Sequence, residues 1–474
     1  MSTTDSTLPL STSPFSSLTL APAMLENLGA LGYTSMTPIQ AESLPPMLEG
    51  RDVIAQAKTG SGKTAAFGIG LLTRINPRFF GVQSLVLCPT RELADQVAKE
   101  LRRLARFAGN IKIVILCGGT PMGPQLGSLE HGAHIVVGTP GRVLKHLQKG
   151  SLNLGSLNTL VLDEADRMLD MGFHDSMVEV ASQTPKERQT LLFSATWPDA
   201  MRELSTAFQR DPVTITVESV HEKTEIEQLF FETDFKQRAQ SAAALLNHYQ
   251  PDSAVLFCNT RQDCDDITQF LRQIGFHAQA LHGDLEQRER DQVLVQFANK
   301  SCPVLVATDV AARGLDIKDL TAVINVELAF DAEVHIHRIG RTGRAGQSGL
   351  ALSLVAPNEM PRALAIENYY AGLGQQQKLI WKKLPADADV RNRTAPKMAT
   401  LNISGGRKDK LRAGDILGAL TGDAGLNGTQ IGKIDIFDIQ AYVAVDFAIA
   451  NDALQRLSDS KIKGRSFKVR LLRT

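Results

Sequence analysis

The chain has 474 residues, 51 basic and 51 acidic, with 43% apolar and 22% charged side chains. That length exceeds one ordinary domain of roughly 100–200 residues, and the composition is that of a soluble protein with material for several cores. The net charge of zero excludes a global field for a polyanion but leaves room for charge segregated along the chain.

Five cysteines (Cys88, Cys117, Cys258, Cys264, Cys302) are scattered without metal spacing, as suits reduced thiols. Residues 1–14 are Ser/Thr-rich, lack a basic start and an apolar core, and read as a disordered N-terminus, not a signal peptide. No apolar run approaches the roughly 20 residues of a membrane helix. The expectation is a cytoplasmic protein with no membrane contact.

From Phe15 an isolated aromatic and a helical pattern lead to Gly32-Tyr33-Thr34-Ser35-Met36-Thr37-Pro38-Ile39-Gln40. Pro38 after Thr37 is ordinary helix-start chemistry. Gln40 also has the donor and acceptor that pair with adenine N6 and N7, and Tyr33 has a ring to stack on the base. Both readings stay open on this segment alone.

Val53 to Ala55 forms a short strand that feeds Ala57-Lys58-Thr59-Gly60-Ser61-Gly62-Lys63-Thr64. Glycines at 60 and 62 let backbone N–H groups curl around phosphate oxygens, and a following helix N-terminus adds its dipole. Lys63 would reach the β/γ-phosphates and the Thr64 hydroxyl would hold Mg²⁺. Ala57 replaces the first glycine of the strict motif.

A rhythm of strand, polar turn and helix follows, which implies a mostly parallel sheet with ligands at its C-terminal edge. The turns are Pro89-Thr90-Arg91, Cys117-Gly118-Gly119-Thr120, Gly138-Thr139-Pro140-Gly141-Arg142 and Ser194-Ala195-Thr196. Small residues, hydroxyls and an arginine suit a phosphodiester backbone. Between them, the strand ending at Leu162 runs into Asp163-Glu164-Ala165-Asp166. Acids there can be a helix cap; with a phosphate loop upstream they become the carboxylates for Mg²⁺ and water.

Residues 15–210 thus form a first domain, and the polar stretch 211–225 reads as a linker. Alternation restarts over 226–374, without a second phosphate loop. This part has Ala307-Thr308-Asp309 leading to Gly314-Leu315-Asp316, and His337-Arg338-Ile339-Gly340-Arg341-Thr342-Gly343-Arg344. Three arginines at spacing three read as too costly for a core. They suit a solvated face or, better, arginine fingers for a γ-phosphate.

Taken together, Phe15 to Gly346 resembles the DEAD-box RNA helicases, with Asp163-Glu164-Ala165-Asp166 as the eponymous motif. The resemblance implies two tandem RecA-like α/β parallel-sheet domains that use ATP and Mg²⁺ on RNA. Phe15, Tyr33, Gln40, the loop Ala57 to Thr64, Asp316, Arg341 and Arg344 would bind ATP. Thr64 and Asp163 would hold Mg²⁺, partly through water. Lys63, Asp163, Glu164, Arg341 and Arg344 would act in hydrolysis, with Glu164 polarising the attacking water. Ser194 and Thr196 would couple the ATP site to RNA. The RNA backbone would meet Pro89, Thr90, Arg91, Gly119, Thr139, Gly141, Arg142, Thr260, Arg261, Gly283, Gln287, Arg290, Thr308 and Gly314. A non-enzymatic RNA clamp would need a damaged catalytic set, which Glu164, Arg341 and Arg344 argue against. A DNA translocase would share the ATP site and differ in its indifference to the ribose 2′-OH.

Residues 375–398 read as a tether. Residues 399–474 alternate as β-α-β-β-α-β, the order of an RNA-recognition motif, so a small RRM-like α+β domain is expected. Asn402 and Gln440 stand where stacking aromatics belong and only Tyr442 remains, so recognition on an open sheet should be poor. From Met398 onward twelve basic residues face eight acidic ones, a net of about +4. Arg407, Lys408 and Lys410 form a basic turn suited to an RNA hairpin. This stretch is similar to the C-terminal domain of a bacterial branch of the family directed to hairpin 92 of 23S rRNA. That resemblance implies unwinding of RNA flanking the hairpin in large (50S) ribosomal subunit precursors, by a monomer.

Overall fold

The computed structural model describes residues 13–57, 60–197, 199–217, 226–312, 320–343, 349–372, 378–385, 396–423 and 425–472. The chain divides into two compact units, the first holding the described residues up to 217 and the second those from 226 onward.

The first unit contains a parallel sheet of seven strands: β1 (Val53–Gln56), β2 (Ser84–Leu87), β3 (Ile113–Leu116), β4 (Ile135–Gly138), β5 (Thr159–Leu162), β6 (Gln189–Ser194) and β7 (Val213–Thr216). Their order is β3-β4-β2-β5-β6-β1-β7. Strands β2, β4, β5 and β6 are buried along their whole length, as a sheet covered by helices on both faces requires. The ends of β5, β6 and β1 are therefore neighbours, which brings the segment after β1 together with two segments more than a hundred residues further along the chain. The linker expected over 211–225 begins instead with β7, which pairs with β1 from Val53↔Val213 to Gln56↔Thr216. Only Ile215 is buried in β7, so its edge position hides the strand among polar residues.

The second unit repeats the arrangement with β8 (Ile226–Glu232), β9 (Ala254–Cys258), β10 (Ala278–Leu281), β11 (Val304–Thr308), β12 (Ala322–Asn325), β13 (Gly349–Val355) and β14 (Ile380–Lys382), in the order β10-β11-β9-β12-β13-β8-β14. The expected tether is thus not free along its length. Strand β14 pairs with β8, and Trp381 lies 5.7 Å from the Phe230 ring.

A four-stranded antiparallel sheet follows: β15 (Met398–Ile403), β16 (Ile431–Ile436), β17 (Ala441–Asp446) and β18 (Val469–Leu471), ordered β16-β17-β15-β18. The helices Ala413–Gly418 and Ala450–Asp459 pack on one face, over Leu401, Ile403, Val443 and Val445. The other face is covered too. Thr400, Asn402, Tyr442 and Ala444 are at most 2% exposed. The Thr400 hydroxyl meets Asn299 Nδ2 at 3.3 Å and Ser301 Oγ at 2.7 Å. The face that an RNA-recognition motif leaves open is closed here against the second parallel-sheet domain.

Candidate ATP site and RNA-facing edges

The phosphate loop opens where β1 ends, and its glycines take left-handed backbones: φ is +87° at Gly60 and +96° at Gly62. At Gly62 a Cβ would lie 2.6 Å from Gln40 Nε2, so a glycine is needed for both conformation and space. The Ala57 N–H donates to the Ser194 carbonyl (3.0 Å), and Lys63 Nζ donates to the Ala57 carbonyl (2.8 Å). Lys63 begins the helix Lys63–Thr73 and Thr64 follows it. Lys58 and Thr59 lie outside the described residues, as do Gly314, Asp316 and Arg344.

Gln40 is buried, and its amide does two jobs at once. Its carbonyl accepts from Thr37 N–H (2.9 Å), closing a capping box, while Nε2 donates to the Gly62 carbonyl (3.1 Å). A glutamine amide has two donors and two acceptor sites, so one of each remains. Phe15 is buried and meets Tyr33 edge-on at 6.2 Å, and the Tyr33 hydroxyl donates to Glu100 (2.6 Å).

Asp163 follows β5 and is buried. Burial pushes its carboxyl up to about 7 against the opposing Lys63 charge, with Glu164 adding to the rise. Glu164 adopts a left-handed backbone (φ +53°), uncommon for a residue with a side chain, and lies 3.2 Å from Arg167 Nη1. Asp166 accepts from Ala195 N–H (3.1 Å), Thr196 N–H (3.0 Å) and Thr196 Oγ1 (3.0 Å) through one oxygen. Burial would raise its pKa, but these bonds, together with Ser194 and the Lys63 charge, hold it below the usual value. Ser194 Oγ donates to the Thr196 carbonyl (2.6 Å). The spacing of the acids marks Asp163 and Glu164 for chemistry; Asp166 is the one that ties them to Ser194-Ala195-Thr196, and sequence reasoning leaves it without a role.

These residues fit a nucleoside triphosphate with a divalent cation. The ammonium of Lys63 sits beside the glycine turn, Ser61 Oγ is buried without a hydrogen-bond partner among the described residues, and Asp163 is a buried carboxyl whose charged form a cation would favour.

The RNA candidates of the first unit gather at the ends of β2, β3 and β4. Thr90 caps the helix Arg91–Leu104 by accepting from Leu93 N–H (3.3 Å), next to buried Pro89. At Gly119 (φ +70°) a Cβ would fall 1.7 Å from Arg91 Nη1, so the glycine makes room for that guanidinium. Arg142 donates to the Thr120 carbonyl (3.0 Å) and to Gln125 Oε1 (2.8 Å), beside Thr139 and Gly141. In the second unit Thr260 caps the helix Arg261–Gln273 and Arg261 pairs with Asp284. Gly283 and the helix Gln287–Ala298 follow β10, with Arg290 donating to the His282 carbonyl (3.2 Å), and Thr308 ends β11.

The three arginines at spacing three do not share one fate. Arg338 is 2% exposed and fully engaged within its own domain. It binds Asp309 through Nε (2.6 Å) and Nη2 (2.7 Å), the Glu327 carbonyl (2.6 Å) and Asn259 (2.8 Å), over the Phe257 ring. A core accepts this charge because a bidentate carboxylate and two further acceptors surround it. Arg341 is also buried.

Family models of the DEAD/DEAH box helicase domain, the helicase conserved C-terminal domain and the DbpA RNA binding domain match residues 37–204, 237–346 and 400–471. The chain is 57% identical over 454 residues to the ATP-dependent RNA helicase DbpA of Escherichia coli (strain K12), covering 96% of this chain and 98% of that protein. The chain belongs to the DEAD-box RNA helicases. This helicase is also 43% identical over 348 residues to ATP-dependent RNA helicase CshA of Listeria monocytogenes, covering 73% of this chain and 66% of that one. The structure of S. cerevisiae Dbp5 bound to RNA and ADP BeF3 aligns with a TM-score of 0.72 at 31% identity, covering 78% of this chain and 96% of that one. As a DEAD-box protein, it is an ATP-dependent RNA helicase, and its last domain is a DbpA-type RNA-binding domain.

In that domain Arg407, Lys408 and Lys410 are exposed on a turn, with Lys410 left-handed (φ +60°). A second basic turn abuts the first: Lys463 Nζ donates to the Lys410 carbonyl (3.2 Å). Lys461, Lys463 and Arg465 therefore join the basic face, a pairing that sequence distance conceals. Among the described residues no helix is long and apolar enough to cross a membrane.

Proposed function

We propose that this helicase hydrolyses ATP with Mg²⁺ to unwind or remodel RNA beside hairpin 92 of 23S rRNA, in large-subunit precursors, as a cytoplasmic monomer. The observation that carries the targeting is the pair of abutting basic turns, Arg407 to Lys410 and Lys461 to Arg465, on a domain similar to the DbpA RNA-binding domain. The helicase domains contribute phosphate and sugar contacts, which position RNA without reading sequence.

At the ATP site Lys63 neutralises phosphate charge and the amides of Gly60 to Thr64 cradle it. Thr64 and Asp163 would hold Mg²⁺, partly through water, and the ion would supply charge neutralisation on the phosphate oxygens. Glu164 orients the attacking water, and its left-handed backbone sets the direction of the carboxylate. Tyr33 and the remaining donor and acceptor of Gln40 select adenine, while the bond from Gln40 to Gly62 lets base occupancy bear on the loop. Asp166 passes the state of the acids to Ser194 and Thr196. Arg341 and Arg344 supply charge to the γ-phosphate.

The experiment is ATP hydrolysis stimulated by a 23S rRNA fragment containing the hairpin, by arbitrary RNA and by DNA of the same sequence. The intact chain should prefer the hairpin fragment and ignore DNA. Reversing Arg407, Lys408 and Lys410 to glutamate should abolish that preference while arbitrary RNA still stimulates. Each lost phosphate contact should also flatten the salt dependence by roughly one unit of slope. Unchanged preference in the triple variant overturns the targeting.

A further inference from the structure

The covered face of the C-terminal sheet carries a row of polar side chains in register: Asp435 opposite Tyr442, Tyr442 opposite Asn402, Asn402 opposite Arg470. Arg470 Nε donates to Asn402 Oδ1 (3.0 Å). The row ends at Gln440, and the amide orientation that satisfies both of its polar groups has the carbonyl accepting from Arg288 Nε (3.0 Å) and Nη2 (2.7 Å) and the nitrogen donating to the Tyr442 hydroxyl (2.6 Å). Tyr442 also lies close to Gln292 and Asp291. Arg288, Asp291 and Gln292 belong to the helix Gln287–Ala298. At roughly 100° per residue they form one stripe of it, and Gln287 and Arg290, the proposed RNA contacts, form the adjacent stripe.

One helix therefore offers its first turns to RNA on one side and clasps the RNA-binding domain on the other. Lys397–Asp252 (2.9 Å), Asn299–Thr400 and Ser301–Thr400 add anchors; Asn299 caps the far end of this helix, whereas Arg288 stands in its first turn beside the proposed RNA contacts.

We propose that Arg288 is a positioning residue: its two-pronged grip on Gln440 fixes the hairpin reader to the helix that grips the RNA backbone, so that hairpin and gripped strand are held at one set spacing. The inference rests on the hairpin reading above. With the latch made, only duplexes at that spacing from the hairpin receive the full benefit of tethering. With it broken, the reader is held by the remaining anchors alone, its angle to the helix loosens and the spacing requirement relaxes.

Two measurements on the full chain test this. In the first, RNAs carry the hairpin and a short duplex separated by single-stranded spacers of increasing length. Wild type should unwind best at one spacer. Arg288→Ala and Gln440→Ala should each lower that optimum by about tenfold and flatten the profile, with the double variant no worse than either single one. A merely misfolded variant loses activity at every spacer alike and keeps the shape of the profile. Arg288→Lys, which cannot donate in the same fork, should fall between.

The second measurement needs no hairpin. Dyes at Lys236→Cys and Asp459→Cys, with the five natural cysteines buried, report the distance between the two domains. A single narrow distribution in wild type that broadens in Arg288→Ala supports the latch. The same distribution in both, or an unchanged spacer profile, overturns it. If the hairpin gives wild type no advantage while the distances behave as expected, the targeting fails and the latch stands.

Discussion

Asp166 receives two hydrogen bonds from Thr196, one from its N–H and one from its hydroxyl, both 3.0 Å long. A carboxylate at the end of the acid motif thereby holds the backbone of a turn that follows a different strand. Asp166→Ala should leave ATP binding intact, lower RNA unwinding more than hydrolysis, and reduce stability by about 1–3 kcal/mol through the orphaned N–H groups. Unwinding and ATP turnover measured side by side give the check; equal losses would contradict a coupling role.

Glu164, proposed above to orient the attacking water, lies 3.2 Å from Arg167 Nη1. Glu164→Gln should cut the rate of ATP hydrolysis by about 10²-fold or more while nucleotide and RNA affinities stay near those of wild type. Single-turnover hydrolysis with parallel binding titrations separates these quantities.

Gln40 caps its own helix and touches Gly62. Gln40→Ala should weaken ATP affinity, reduce preference for ATP over GTP and lower stability by about 1 kcal/mol through the lost cap. Equal use of ATP and GTP by the intact chain would remove Gln40 from base selection.

Arg338 has its charge matched by Asp309 inside the second domain. Arg338→Ala leaves Asp309 without its bidentate partner and should cost about 3–5 kcal/mol. Denaturant unfolding should reveal that loss directly, together with poor ATPase that added nucleotide does not rescue.

His335 is stacked near Phe230 (6.0 Å), and neither ring nitrogen has a hydrogen-bond partner among the described residues. Burial, reinforced by the Arg338 charge, lowers its pKa to about 3. An unfolded histidine takes up its proton near pH 6.5, so between these values the unfolded chain binds more protons and stability falls as pH drops. The slope contributed by His335 is at most about 1.4 kcal/mol per pH unit. His335→Phe should flatten the pH dependence of unfolding below pH 6.5, followed by the fluorescence of Trp381, which packs on Phe230. An unchanged slope would contradict the assignment.

The phosphate loop and the acid motif could be read from the chain because short-range spacing and a preceding apolar strand define them. What they touch could not. Arg338 looks like a surface charge until Asp309, 29 residues away, and Asn259, 79 away, are brought beside it. Strands β7 and β14 were hidden because edge strands carry little apolar pattern, and the polar face of β15 and β17 looked ready for solvent. Thr400, Asn402 and Tyr442 gave no local sign that another domain covers them.

That cover sets a rule for domain exchange. A graft of residues 398–472 onto a foreign helicase would strip Thr400, Asn402 and Tyr442 of their neighbours and present a polar sheet with nothing to register it. RNA affinity would travel with the graft, because the basic turns are its own, but alignment would not. A working chimera has to carry the helix Gln287–Ala298 with Asn299 and Ser301 as well, which makes the transferable piece the second helicase domain together with its reader.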